Sequence, residues 1–177
     1  EFQVRTDIVA KPDGEKAVYK YALQKEGEAH IRHIAKVAQE LKENFTCPDI
    51  LFCPCKEDGA RAVSPFLQGK TLQQEMEELL AGKQEYQVAE LVNRYLTWIT
   101  EDGGNVPFAM TEEFKEVFGE VRLPEHLNCA KVSDIDLIFS NILTDEGKWQ
   151  VIDYEWTFEF PIPKNFVIYR ACFLAYH

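Results

Sequence analysis

Near Gly69 the spacing of apolar residues changes, and the change limits the chain to folds in which a strand-rich part precedes a helix-rich one. At the start, Phe2, Val4, Thr6 and Ile8 alternate with Gln3, Arg5 and Asp7, the period of a half-buried strand. Pro12, Asp13 and Gly14 supply a turn and Lys16 to Ala22 a returning strand, so this part reads as a hairpin. From Gln24 the period lengthens. Ile31, Ile34, Val37, Ala38 and Leu41 mark one face of a helix ending near Asn44. Two short strands follow, Ile50 to Cys53 and Arg61 to Phe66, around a turn at Lys56, Glu57, Asp58 and Gly59. Residues 1–67 therefore predict an antiparallel sheet with one helix, in the order β-β-α-β-β.

Beyond Gly69, Thr71 is an N-cap for a helix to about Leu80, and Gln87 to Ile99 carries Val88, Leu91, Val92, Tyr95, Leu96 and Ile99 on one stripe. Phe114, Val117 and Phe118 predict a short helix closed by Gly119. The pattern then returns to strands at Asn141 to Leu143 and Trp149 to Ile152, around a turn ending in Gly147. The expected division is 1–67 and 68–177, an α+β chain of two lobes.

Charge is unevenly spread. The 177 residues carry a formal net charge of -11, which disfavours nucleic-acid backbones and anionic membranes as partners. Yet residues 1–70 hold eleven acids and eleven bases, so any anion is expected to meet its cations there. No apolar run approaches a membrane span, and five cysteines without C-x-x-C spacing suit reduced thiols, so a cytoplasmic protein is expected. Glu1 opens the sequence inside an alternating pattern, as a segment of a longer protein would.

Residues 132–156 concentrate the chemistry. Asn141 opens one strand of the hairpin and Asp153 follows the other, so the two can face one point. An amide and a carboxylate oxygen there suit a hard cation such as Mg²⁺, and Asp136 nearby could take a proton from a hydroxyl. Solvated acids on a surface turn would produce the same residues.

The run Asp136-x-x-x-x-Asn141-Ile142-Leu143, a turn, then Val151-Ile152-Asp153-Tyr154-Glu155 resembles the catalytic and metal-binding segments of small-molecule kinases related to aminoglycoside phosphotransferases and choline kinases, which have the protein-kinase-like fold. The resemblance implies that Asp136 is the catalytic base and that Asn141 and Asp153 hold Mg²⁺. It also implies that Lys20, on the strand Val18-Tyr19-Lys20, grips the phosphates of ATP and is held by Glu28 of the following helix in preference to Glu26. Ser64 to Gly69, with Ser64 and Phe66, would be the hinge that meets the adenine. The texture is closest to kinase-like domains joined to glycosyltransferases or methyltransferases of bacterial surface-polysaccharide synthesis. That implies a hydroxyl acceptor on a small molecule or glycan, and flanking domains in a longer parent.

Two departures qualify the resemblance. Asp134 stands where the family has His, beside the catalytic Asp, where it could alter the base or add a metal ligand. No Gly-rich phosphate loop occurs. If the first strand is the second of the family sheet, that loop lies upstream and the fold is truncated at both ends. A catalytically inactive pseudokinase serving as an interaction module is therefore the alternative, and a two-carboxylate or metal-dependent hydrolase built on Asp134, Asp136, Asp153 and Glu155 is a third reading.

Overall fold

The structure is a computed structural model that describes residues 3–124 and 126–176. Phe2, expected to begin the first strand, lies outside the described residues. The alternation of the N-terminal part becomes β1 (Val4–Ala10) and β2 (Lys16–Ala22), paired antiparallel with Thr6 opposite Lys20. A 3-10 turn at Lys25–Gly27 leads into α1 (Glu28–Asn44), which buries the anticipated Ile31, Ile34, Val37, Ala38 and Leu41. β3 (Ile50–Phe52), β4 (Lys56–Asp58) and β5 (Arg61–Pro65) follow. The residues expected to turn at Lys56 to Gly59 are mostly β4, because Lys56, Glu57 and Asp58 pair with Val63, Ala62 and Arg61 and only Asp58 to Arg61 bends.

The first sheet has the order β1-β2-β5-β4 and is antiparallel throughout. β3 departs from expectation. It leaves its sequence neighbours and pairs parallel with a strand about a hundred residues later. β6 (Lys70–Thr71) opens the second half, and Thr71 caps α2 (Leu72–Ala81) with a reciprocal capping box to Gln74. α3 (Glu85–Glu101), β7 (Val106–Pro107), α4 (Glu112–Phe118), β8 (Asn128–Cys129) and β9 (Ser133–Asp134) come next. The hairpin is β10 (Ile142–Asp145) and β11 (Lys148–Val151), with Asn141 closing a 3-10 turn just before it. β12 (Thr157–Phe158) bridges β9, and α5 (Lys164–Tyr176) ends the described chain. The second sheet is β3-β11-β10-β6, so the segment before Gly69 lends a strand to the hairpin after it.

That shared strand places the core at the junction of the two halves. Phe45, Phe52, Trp98 and Trp149 pack ring against ring there, with Tyr95 and Tyr154 at the margins. Trp149 is 1% exposed, and its truncation to Ala is expected to cost about 3–5 kcal/mol. The turn after α3 is fitted as closely: Gly103 has φ +73°, and a Cβ there would stand 2.7 Å from the Phe45 ring. Asp102 beside it accepts the backbone N–H groups of Thr46, Cys47 and Gly103, tying the end of α1 to the end of α3. From the other side the buried Lys164 donates to the Thr100 and Asp102 carbonyls, which neutralises the negative end of α3.

Candidate phosphoryl-transfer site

Lys20 lies in the interior of the first sheet, between Thr6 of β1 and Ala62 of β5. Its side chain is 15% exposed, so the ammonium needs anionic partners. They come from the segment after β11: Lys20 Nζ donates to Asp153 Oδ1, and to Glu155 Oε2 at 3.1 Å. Burial by itself would lower the Lys20 pKa, but the two carboxylates outweigh it and hold the value above the ordinary lysine range.

The pair expected between Lys20 and Glu28 is not formed. Glu28, the first residue of α1, stands 3.7 Å from Arg32 of its own helix. It lines a shallow depression with Tyr19, Tyr21 and Arg61, whose side chains alternate with those of Lys20 and Ala62 to the other face of the sheet. Strand alternation thus separates the two residues, although the helix follows the strand directly.

Lys20, Ser64, Phe66 and Asp153, four of the residues singled out in the sequence, line one cavity of about 170 Å³ between the first sheet and the segment after the hairpin. Val18, Ala62, Leu67, Ile152 and Tyr154 supply apolar walls, and Cys55 lies beside them. The segment after β5 is held to the sheet where Phe66 N–H donates to the Lys16 carbonyl at 3.0 Å and the Lys16 ammonium stands 5.5 Å from the Phe66 ring centre. The lining of the cavity is therefore largely apolar, with a cation between two acids as its charged part.

The hairpin brings Asn141 and Asp153 together through the backbone. Ile152 N–H donates to the Asn141 carbonyl at 2.9 Å, one residue before Asp153. Asn141 Nδ2 donates to the Asp136 carbonyl at 3.1 Å, which joins the Asp136 loop to the hairpin and leaves Asn141 Oδ1 as its acceptor. Asp153 has φ +58°, a left-handed conformation that costs a non-glycine residue about 1 kcal/mol or more and is commonest at functional positions. Among the described residues no three His, Cys, Asp or Glu side chains gather as a metal site.

Asp136 is more restrained than its sequence position implies. Arg170 of α5 donates from Nη2 to Asp136 Oδ1 at 2.6 Å and from Nε to the Ile135 carbonyl at 2.8 Å. Asp134 is 1% exposed; its Oδ1 accepts the Asp136 N–H at 2.9 Å and its Oδ2 has no hydrogen-bond partner among the described residues. Burial pushes the Asp134 pKa well above the carboxylate range, with the nearby Asp136 and Asp153 charges adding to it. Asp134 is not among the residues that line the Lys20 cavity.

Sequence reasoning passed over Arg170 and gave Glu155 no role towards Lys20. Arg170 belongs to a helix that is apolar all round and gives no periodic signal. Glu155 entered the sequence reading only as one carboxylate of the hydrolase alternative, because its lysine partner is 135 residues away. All five cysteines are free thiols, and among the described residues no helix is long and apolar enough to cross a membrane.

No protein-family model matches this chain, and no curated protein matches it in sequence. Among solved structures it is similar to a macrolide 2'-phosphotransferase type I, at 13% identity and a TM-score of 0.54, over 99% of this chain and 71% of that one. It is also similar to the apoenzyme of macrolide 2'-phosphotransferase MphH from Brachybacterium faecium, at 12% identity and a TM-score of 0.49, over 98% of this chain and 76% of that one. At such identity the likeness is one of fold. The chain has the α+β kinase-like fold of small-molecule phosphotransferases.

Proposed function

We propose that this chain is the phosphotransferase domain of a larger protein, moving a phosphoryl group from ATP to a hydroxyl of a small molecule or a glycan end. The observation that carries the reading is the meeting of Lys20 and Asp153 in a cavity that Ser64 to Leu67 also line. In it, the adenine lies against Ser64 and Phe66 and the Lys20 ammonium grips the phosphates.

Mg²⁺ fits the donor set, since one carboxylate and one amide oxygen are hard ligands and this ion usually takes few protein ligands, keeping waters and sharing phosphate oxygens. Asn141 and Asp153 would hold it, and when bound it neutralises charge on the phosphates. For Asp153 to serve, Lys20 must exchange that carboxylate for phosphate. Asp136 accepts the proton of the acceptor hydroxyl on Oδ2, because Arg170 occupies Oδ1. The apolar trough between α4 and α5, lined by Phe114, Phe118, Leu123, Ile162, Phe166 and Tyr169, adds a surface of about 500 Å³ that suits no charged group. The reducing cytoplasm is the compartment that suits five free thiols. A place in polysaccharide synthesis rests on the sequence texture alone.

One observation favours the inactive alternative. The Arg170–Asp136 ion pair, beside an acid at position 134, resembles a base locked in place more than one waiting for substrate. Calorimetry with ATP separates nucleotide binding from no binding, and phosphate-transfer assays on a panel of hydroxyl acceptors separate enzyme from pseudokinase. ATP binding that requires Mg²⁺ and disappears in Asp153→Asn supports the phosphotransferase reading, and absence of binding with or without Mg²⁺ removes it.

A further inference from the structure

The helix acid that the sequence offers to Lys20 points elsewhere, and a different part of the chain has taken its place. We propose that Glu155 is the positioning residue of Lys20 in the nucleotide cleft, an inference that rests on the phosphotransferase reading. A buried lysine that must release Asp153 when nucleotide and metal arrive needs a second anion that stays. Glu155 is that anion: its Oε2 accepts from Lys20 Nζ at 3.1 Å, and its side chain is only 23% exposed, against 47% for Asp153.

The backbone around Glu155 is built to keep it there. Tyr154, before it, is 3% exposed and its hydroxyl donates to the Cys53 carbonyl at 2.5 Å. Trp156, after it, accepts the Ile135 N–H on its carbonyl at 3.1 Å. Thr157 is buried in the bridge to Asp134, and its hydroxyl donates to the Tyr154 carbonyl at 2.7 Å.

Helix α1 braces the same segment from the other side. His33 Nε2 donates to the Thr157 carbonyl at 2.8 Å, Lys36 donates to Glu159 at 2.5 Å, and the His30 ring lies 5.7 Å from that of Trp156. These three are spaced by three residues, which puts them along one side of the helix. Thus α1 positions Lys20 at one remove, by bracing the strap that carries Glu155, and not by contributing the acid itself. A charged group held by several buried anchors keeps its geometry better than one on a free helix start such as Glu28.

The test is calorimetric titration of the chain with a non-hydrolysable ATP analogue over a series of Mg²⁺ concentrations up to saturation, comparing wild type, Glu155→Gln, Glu155→Asp, Glu28→Gln, Lys20→Met and the Lys20→Met/Glu155→Gln double variant. Glu155→Gln is expected to weaken nucleotide binding about tenfold while the half-saturating Mg²⁺ concentration stays within twofold. Glu28→Gln is expected to stay within twofold of wild type, and Glu155→Gln to cost nothing further once Lys20 is Met. Glu155→Asp keeps the charge but withdraws it by one methylene, so an intermediate loss is expected; it also carries the test if thermal unfolding shows Glu155→Gln to be unfolded. Wild-type binding with undiminished affinity in both Glu155 variants overturns the inference and leaves the phosphotransferase reading standing. So does a loss that extra Mg²⁺ repairs, which makes Glu155 a metal ligand, or a loss in Glu155→Gln that persists fully in the Lys20→Met background. A wild type that binds no nucleotide removes both.

Discussion

Lys20 and Asp153 are 133 residues apart in sequence and form an ion pair across the cleft between the first sheet and the hairpin segment. The contact joins a cation from the charge-balanced first part of the chain to an acid from the last part. Breaking it from the lysine side leaves Asp153 and Glu155 facing each other with no cation between them. Lys20→Met is therefore expected to lower stability by roughly 1–3 kcal/mol, less than for a fully buried pair because Asp153 is partly solvated, and to weaken nucleotide binding strongly while leaving it measurable. Chemical denaturation and calorimetry on the same samples measure the two effects.

Asp136 is expected to act in turnover and not in nucleotide binding. Replacement of a positioned general base costs about 10²–10⁴-fold in rate. Asp136→Asn should reduce phosphate transfer by at least a hundredfold with nucleotide affinity unchanged. Equal turnover in wild type and variant, measured on an acceptor that wild type phosphorylates, would assign the proton to another group.

Asp134 makes a pH prediction. An acid whose pKa is higher in the folded than in the unfolded chain contributes stability that is whole below its unfolded pKa, about 4, and is lost as pH rises towards the folded value. Wild type should therefore lose thermal stability relative to Asp134→Asn as pH rises above about 5, since the amide keeps the acceptor for Asp136 N–H and cannot ionise. Asp134→Ala removes that acceptor and should cost about 1–3 kcal/mol relative to Asp134→Asn at every pH. Parallel melting curves of wild type and Asp134→Asn across pH 5–8 would contradict a raised Asp134 pKa.

Asp102 should behave in the opposite sense. Burial alone would raise its pKa, but the backbone N–H groups of Thr46, Cys47 and Gly103 outweigh burial and hold it below the ordinary value. A depressed carboxyl contributes stability that is present above the unfolded pKa, about 4, and is lost as pH falls through the folded value. Asp102→Ala is expected to cost about 1–2 kcal/mol at neutral pH and to flatten the acid limb of the unfolding curve below about pH 4.

Local pattern made much of the fold legible, and distance in sequence hid the rest. Periods of two and of 3.6 residues marked β1, β2, α1 and α3 because each buries one face, and Thr71 with Gln74 announced the start of α2. The strand at Ile50 was visible too, but nothing local could say that its partner is β11 and not β4. α5 has no polar face to set a period. In the candidate site, the hairpin geometry drew attention to Asn141 and Asp153, and the family resemblance to Lys20. The Glu28 contact failed because strand alternation, which is legible only once the sheet's two faces are assigned, puts it beside Tyr19 and Tyr21. Glu155 and Arg170 act through pairings that span 135 and 34 residues, and no spacing rule reaches them.

The most direct measurement is a structure of the chain with Mg²⁺ and a non-hydrolysable ATP analogue. The expected result is adenine against Ser64 to Leu67, phosphates on the Lys20 ammonium with Glu155 still in contact, and Mg²⁺ between Asn141 and Asp153 after the Lys20–Asp153 pair has opened. An intact Lys20–Asp153 pair with the cleft empty at saturating nucleotide, or nucleotide bound away from Lys20, would contradict the assignment of this cleft to phosphoryl transfer.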